Sequence, residues 1–310
     1  MTDALDLPSL VDAGGRLLGF DEDTDPEVGP LAFGCWRMVG DDVAGAQELI
    51  ETALDLDMNL IDTADIYGRG HGGGGFGESE ELLGKVLAAA PELRDRMVLA
   101  TKGGIRVGVP YDSSAGYLRQ ACEDSRRRLG VDVIDLYQVH RPDLFGHPLE
   151  VAEVLDELVA AGKVRTVGVS NHTPAQTRAL VEYLEAPLVS TQPEFSAAHL
   201  LPMRDGTFDQ AMEQGLAVLA YSPVAGGRIV TGEDVRPELL AVLDDIAARE
   251  EVDRVAVALA FVLCAPSSPV AIVGTQKVER LHEAVRALSI HLDRVDCYRI
   301  VEASEGVALP

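Results

Sequence analysis

Residues 134–171 read IDLYQVHRPDLFGHPLEVAEVLDELVAAGKVRTVGVSN, and this stretch carries the fold in miniature. An apolar run, Ile134 to His140, suits a buried parallel strand and stops on a polar residue. A longer amphipathic segment over about 150–162 follows and closes at Gly162, a residue that ends helices readily. A second apolar run, Val164 to Asn171, comes directly after it. Strand, helix and strand in that order make one βα unit of a parallel sheet.

Outward in both directions the unit recurs until eight are counted. The other strand candidates are Leu31 to Phe33, Asn59 to Asp62, Met97 to Lys102, Leu188 to Glu194, Ala217 to Ser222 and Val270 to Gly274. Helical segments alternate with them at about 42–56, 77–90, 114–129, 174–184, 207–214, 236–250 and 278–288, with further helices at about 253–265 and 293–304. Thr173 before Pro174 reads as an N-cap with proline at the first helical position, Asp41 or Asp42 caps the first helix, and Gly130 closes the third. Eight units without a composition break predict an α/β chain folded as one closed (β/α)8 TIM barrel over residues 29–310. Residues 1–28 form an N-terminal arm in which Leu17, Leu18, Gly19 and Phe20 suit a small hairpin. No Gly-x-Gly-x-x-Gly follows the first strand, which removes the main ground for a Rossmann domain. The run Gly72 to Gly75 lacks a P-loop ending and reads as a flexible loop.

The chain of 310 residues is 47% hydrophobic, enough for a substantial core, and its net charge is −25. Such acidity repels phosphate backbones and anionic lipid, so nucleic acid and membrane are excluded as partners and small molecules remain. No run of 18 apolar residues occurs, and Met1, Thr2, Asp3 and Ala4 do not open a signal peptide, which places the protein in the cytoplasm. Cys35, Cys122, Cys264 and Cys297 show no zinc-ligand spacing and read as buried thiols. Lysine is confined to Lys85, Lys102, Lys163 and Lys277 among dense acids, a bias that fits a high-salt cytoplasm or GC-rich coding.

In a barrel of this kind the chemistry sits at the C-terminal strand ends. Strand two ends at Asp62, with Asp65 and Tyr67 just beyond; strand three ends at Lys102 and strand four at His140. Singly, these are ordinary caps, packing residues or surface charges. Together they have a chemical use. A lysine beside a tyrosine favours phenolate and lowers the tyrosine's pKa, an aspartate keeps the lysine charged, and a histidine places a carbonyl oxygen against the tyrosine hydroxyl. A metal-dependent hydrolase using Asp62, Asp65, His140 and Asp143 is disfavoured by the absence of a His-x-His pair after strand one and by the cation at Lys102. No metal is expected.

The run Asn59-Leu-Ile-Asp62-Thr-Ala-Asp65-Ile-Tyr67-Gly68, then Lys102, Val139-His140-Arg-Pro142, Gly168-Val-Ser170-Asn171 and Thr191-Gln192-Pro-Glu194, resembles the aldo-keto reductase superfamily from about residue 29 to the end. Gly34-Cys-Trp-Arg37 and Asp205-Gly-Thr-Phe-Asp-Gln210 make it most similar to a bacterial-type oxidoreductase subgroup. The resemblance implies a catalytic tetrad of Asp62, Tyr67, Lys102 and His140. It also implies NAD(P)H lying extended across the rim, passing hydride to a carbonyl carbon while Tyr67 protonates the oxygen of an aldehyde or ketone.

By the same resemblance Ser170, Asn171 and Gln192 hold the carboxamide, Tyr221 stacks on the nicotinamide, and Gly34 lets the cofactor approach the backbone. Ser222, Gly226, Gly227 and Arg228 suit the pyrophosphate, and Trp36 lines the substrate pocket. Arg280 matches a position that grips the 2′-phosphate of NADP(H), with Lys277 assisting, so NADP(H) is expected over NAD(H). Gly274 stands where many members have lysine, and Ala284 where asparagine is common. A short tail after the last helix implies an open, tolerant pocket. The competing function, from another class, is a nucleotide-binding redox-sensing subunit similar to potassium-channel beta subunits. Oligomeric state is not legible in the sequence.

Overall fold

The computed structural model describes residues 7–69 and 72–310. The start of the N-terminal arm, including Met1 to Ala4, lies outside the described residues. A two-stranded antiparallel hairpin, β1 (Arg16–Leu17) and β2 (Glu27–Val28), precedes eight parallel strands. These are β3 (Leu31–Gly34), β4 (Leu60–Asp62), β5 (Val98–Gly103), β6 (Ile134–Val139), β7 (Val164–Ser170), β8 (Leu188–Gln192), β9 (Ala217–Ala220) and β10 (Val270–Val273), closed into a barrel in the order β10-β3-β4-β5-β6-β7-β8-β9.

The helices are α1 (Val43–Asp55), α2 (Glu78–Ala89), α3 (Ala115–Leu129), α4 (Pro148–Ala160), α5 (Pro174–Val181), α6 (Thr207–Gln214), α7 (Arg228–Thr231), α8 (Pro237–Glu250), α9 (Arg254–Leu263), α10 (Val278–Val285) and α11 (Arg294–Glu305). The cap residues act as their chemistry dictates. Asp42 accepts the Gly45 N–H at 3.0 Å, Thr173 and Gln176 make a reciprocal capping box, and Gly130 turns left-handed at φ 68° to stop α3. The one-turn helix α7 and a 3-10 segment at Pro91–Arg96 were not expected from the sequence.

Most strands end a residue or two before the polar residue expected to close them. His140, Asn171, Glu194, Ser222 and Gly274 lie just past the ladder, because there the chain leaves the sheet to face the rim; Asn171 and Ser222 do so in the left-handed region, at φ 58° and 52°. Two of the four thiols also differ from expectation: Cys35 and Cys122 are buried, whereas Cys264 and Cys297 are only half-buried, on the outer α9–α11 side. Among the described residues no helix is long and apolar enough to cross a membrane.

Side chains along a strand alternate between faces, so residues two apart share the lumen. The barrel's inner cluster gathers Ala32, Leu60, Val98, Leu136, Leu219 and Val270 from the strands, with Leu18 and Val28 of the hairpin segment plugging that end. Two and four residues further up the same faces come Gly34, Asp62, Ala100 with Lys102, Gln138 with His140, Tyr221 and Ile272 with Gly274. The intervening residues, Phe33, Ile61, Leu99 and Tyr137, point outward and pack in a second, larger core with Ile50, Leu83, Leu118 and Leu155 of the helices. The fold therefore delivers polar groups to one rim by parity alone.

Candidate active site

Lys102 rises inside the barrel, 1% exposed, and its Nζ donates to Asp62 Oδ2 at 2.6 Å and to the Thr63 carbonyl at 2.8 Å. The other Asp62 oxygen accepts from Gln192 Nε2 at 2.9 Å and, more weakly, from Gln138 Nε2 at 3.5 Å. This buried ion pair is thus stitched on every side, which is what makes two charges tolerable away from water. Tyr67 sits on the turn after β4, its ring centroid 5.0 Å from Lys102 Nζ and 5.9 Å from the His140 ring, the two rings nearly perpendicular at 79°. Asp62, Tyr67, Lys102 and His140 are thus brought together at one end of the lumen.

Their electrostatics differ from expectation in one respect. Burial pushes the Tyr67 hydroxyl up to about 12, and the downward pull of Lys102 only moderates the rise. Burial also works to discharge Lys102, but Asp62 and then Tyr67 outweigh it and hold the ammonium above its ordinary value. Burial, followed by Lys102 and Arg141, keeps His140 well below the ordinary imidazole range, so its ring is neutral at pH 7. The site in this state is a protonated tyrosine held against a cation, beside a neutral histidine able to donate one N–H.

Around the rim, Ser170 Oγ donates to the Gln192 carbonyl at 2.9 Å, and Asn171 Nδ2 donates to Ser170 Oγ at 2.8 Å and the His140 carbonyl at 3.2 Å. Tyr221 closes the set by donating its hydroxyl to Asn171 Oδ1 at 2.8 Å. Because the Gln192 amide nitrogen is engaged by Asp62, its Oε1 remains as the acceptor of the pair. His172, half-buried beside them, binds the Ser170 carbonyl and is lowered to about 4 by burial, as befits a loop residue.

A cleft of ≈ 1220 Å³ runs from this tetrad across the rim to α10. That exceeds the usual size of a small-ligand pocket and leaves room for a dinucleotide and a small substrate together. Asp62, Tyr67, His140, Ser170, Asn171, Gln192, Tyr221, Ser222, Gly34, Trp36, Gly226, Gly227, Lys277 and Arg280 all line it. Gly226 and Gly227 adopt φ 69° and 103° with open space where a Cβ would lie, so the turn itself demands glycine and exposes backbone to the cleft. At Gly34 a Cβ would come within 2.7 Å of Ile272 Cγ2, so close packing between β3 and β10 requires glycine there besides any approach of a cofactor.

Arg228 is the exception. Its guanidinium Nε turns back to the Ala225 carbonyl at 3.0 Å, and the residue does not line the cleft. The cation that does span this part is Arg37, whose Nη2 reaches the Gly226 carbonyl at 3.0 Å and whose Nη1 reaches Gly274 at 3.4 Å, while its guanidinium lies over Trp36 at 5.1 Å. Arg37 and Gln138 are the site residues that sequence reasoning passed over; the Gly-Cys-Trp-Arg run held the first, and lumen parity two residues before His140 held the second. Among the described residues no three of the His, Cys, Asp and Glu side chains are grouped to hold a metal ion, and Asp143 is instead engaged by the Ser113 and Phe145 amides.

The aldo/keto reductase family profile matches residues 30–305. The chain is 47% identical over 286 residues to a 6-dehydroglucose reductase of Novosphingobium aromaticivorans, covering 91% of this chain and 94% of that protein. It is 34% identical to a 6-dehydroglucose reductase of Agrobacterium fabrum, over 90% of this chain and 95% of that one. Among solved structures, a glycerol dehydrogenase from Gluconobacter oxydans superposes with a TM-score of 0.80 at 28% identity, covering 96% of this chain and 97% of that chain.

Proposed function

The chain belongs to the aldo/keto reductase family and is an NAD(P)H-dependent oxidoreductase; from that premise we propose that it reduces the carbonyl of a sugar-type substrate to an alcohol, with Tyr67 as proton donor and NADP(H) as the preferred nucleotide. The observation that carries the chemistry is the Asp62–Lys102–Tyr67–His140 constellation at one end of the long cleft. The substrate class rests on the two relatives named for 6-dehydroglucose.

A bound nicotinamide nucleotide supplies hydride to the carbonyl carbon. The protein's task is the oxygen. Neutral His140 donates an N–H to it and fixes its position, and Tyr67 holds a proton ready at its hydroxyl. An alkoxide is far more basic than a phenolate, so a tyrosine at about 12 still gives up its proton once charge develops on the oxygen. Lys102 then faces the phenolate at short range in a site that excludes water, where a fixed cation is worth most. Asp62, held by Gln192 and Gln138, keeps that cation charged and in place.

The residues present fit the nucleotide along the cleft. Ser170, Asn171 and the free Gln192 Oε1 match a carboxamide, Tyr221 offers a ring tethered at its hydroxyl, and the turn at Ser222, Gly226 and Gly227 lies open to a pyrophosphate, the Gly227 N–H itself being held by the Val224 carbonyl at 3.0 Å. Lys277 caps α10 and Arg280 stands in its first turn, both exposed, so a 2′-phosphate there meets two cations and a helix N-terminus. Trp36, 39% exposed, offers an aromatic face at the mouth.

The test is NADPH consumption against a panel of aldehydes, ketones and sugar carbonyls, with Tyr67→Phe alongside. Loss of the proton donor lowers kcat by about 10²- to 10⁴-fold. Tight nucleotide binding with turnover no faster than in the variant would instead make the nucleotide a signal, as in a redox-sensing subunit. Arg280→Ala lowers kcat/KM for NADPH by about tenfold or more and leaves NADH near its wild-type value; equal efficiency of both nucleotides in the wild type would remove the NADP(H) preference.

A further inference from the structure

Two charged residues of the cleft touch neither the reacting atoms nor the nucleotide in the mechanism just described, although Arg141 helps to keep His140 neutral. Arg141 follows the catalytic His140, and Glu194 stands two residues beyond Gln192; both are half-buried and both line the cleft. Glu194 pairs with Tyr221 through a parallel backbone bridge, and both charges act on the Tyr221 hydroxyl, the same group that donates to Asn171, so they flank one point of the rim. Among the described residues neither is consumed in an ion pair, whereas Lys102 is paired with Asp62 and Arg254 with Asp244, and Arg37 is engaged by two carbonyls. A half-buried arginine and glutamate that lie around one hydroxyl without pairing each other retain free donors and acceptors inside the cleft.

We propose that Arg141 and Glu194 form the subsite that recognises the hydroxyl-bearing chain of the substrate and favours a neutral polyhydroxy carbonyl over a simple aldehyde; this rests on the sugar reading above. The chemistry of a polyol requires such a pair. Each vicinal hydroxyl both donates and accepts, a planar guanidinium offers parallel donors, and a carboxylate offers parallel acceptors. The two charges sum to zero, so the subsite gains nothing from an anionic substituent, and Glu194 opposes one. Position supports the same role. Arg141 and Glu194 follow β6 and β8, and Trp36 follows β3, which lies across the ring from β7 between them. A sugar with its carbonyl at Tyr67 and His140 therefore has a charged pair on one side and an aromatic face on the other.

The experiment uses the full chain with NADPH and three carbonyl substrates: a neutral hexodialdose, glucuronate and butanal. Wild type is expected to favour the hexodialdose over glucuronate. In Arg141→Gln and in Glu194→Gln, the ratio of kcat/KM for hexodialdose to that for butanal falls by about 10- to 100-fold, chiefly through KM, as befits loss of a charge-assisted hydrogen bond to bound substrate. Arg141→Lys, which keeps the charge and loses the planar fork, shows part of the loss and serves if a glutamine variant fails to fold. Nucleotide affinity, read by quenching of protein fluorescence, stays within about twofold of wild type. A ratio that does not move overturns the proposal, because the residues then act on Tyr221 or His140 and not on the sugar. A loss of NADPH affinity equal to the loss in kcat/KM also overturns it and assigns the pair to the cofactor. Wild-type turnover of butanal with none of any sugar carbonyl sinks the sugar reading itself, and the subsite with it, a result distinct from an unmoved ratio in an active sugar reductase.

Discussion

The two ends of this barrel are built from the same strands and obey opposite rules. At the base, Leu60, Val98, Leu136 and Val270 fill the lumen and the hairpin segment adds Leu18 and Val28 as an apolar plug, while the buried Arg16 beside it is satisfied by the Ser268 and Asp12 carbonyls. At the rim, the same inward faces carry Asp62, Lys102, Gln138 and His140, buried but polar, and each oxygen of Asp62 needs a donor of its own. The base is held by area removed from water, which tolerates small shifts. The rim is held by directional bonds between charged groups, which tolerate none. Stability and chemistry are thus separated by about two to four residues along each strand, a distance of roughly 7–13 Å at the strand rise per residue.

The largest blow to the rim is Lys102→Met. It leaves Asp62 buried without its cation, at a cost of about 3–5 kcal/mol in stability, and it also abolishes the stabilised phenolate, so turnover falls with it. Chemical denaturation together with kcat measures both losses; a variant with wild-type stability would refute the view that the rim is a bonded network. The matching blow to the base is Leu18→Ala. Its cavity costs about 2–5 kcal/mol, yet kcat of the folded molecules stays within about twofold, because no bond of the tetrad passes through the plug. Should kcat fall in parallel with stability, the two ends would be coupled and the separation would be wrong.

How much of this was legible depends on whether the decisive interaction is local. The barrel was, since each apolar run ends on its own polar residue and each helix carries its own cap, as Thr173 and Gly130 do. The convergence of Asp62, Lys102 and His140 was as well, because parity and order place them at the ends of neighbouring strands. The acidity of Tyr67 was not, because adjacency to Lys102 is visible in the sequence and depth of burial is not, and depth decides the sign. Arg228 looked right for a pyrophosphate from its place beside Gly226 and Gly227, whereas Arg37 reaches Gly226 from 189 residues away, a contact that only the closed barrel creates. The approach of Arg141 and Glu194 to one stretch of the cleft, from the ends of β6 and β8, is of the same kind.

The smallest expected effect tests whether the rim's polar burial carries a cost that the base avoids. Asp65 is fully buried just behind the tetrad, its amide bonded to the Lys102 carbonyl at 3.0 Å, and neither carboxyl oxygen has a side-chain partner among the described residues. Burial, and then the neighbouring Glu80, raises it well above the ordinary carboxylate range; Arg128, already bonded to Glu80 at 2.7 Å, offsets this only in part. With a folded pKa above the unfolded one, the native state binds the extra proton between the two values. Stability therefore falls as pH rises through that window, and the cost is absent below the unfolded pKa and complete above the folded one. Asp65→Asn removes the titration while keeping the shape. Its stability relative to wild type should improve as pH rises from the ordinary carboxylate range into the raised one, by the cost of an unpaired buried polar group, about 1–3 kcal/mol. The same comparison for Leu18→Ala should show no such rise across that range, since Leu18 packs among apolar side chains and lies outside the buried acid cluster of Asp65 and Glu80. A flat difference for Asp65→Asn across that range would mean that Asp65 is solvated or paired, and that the rim buries its acid without cost.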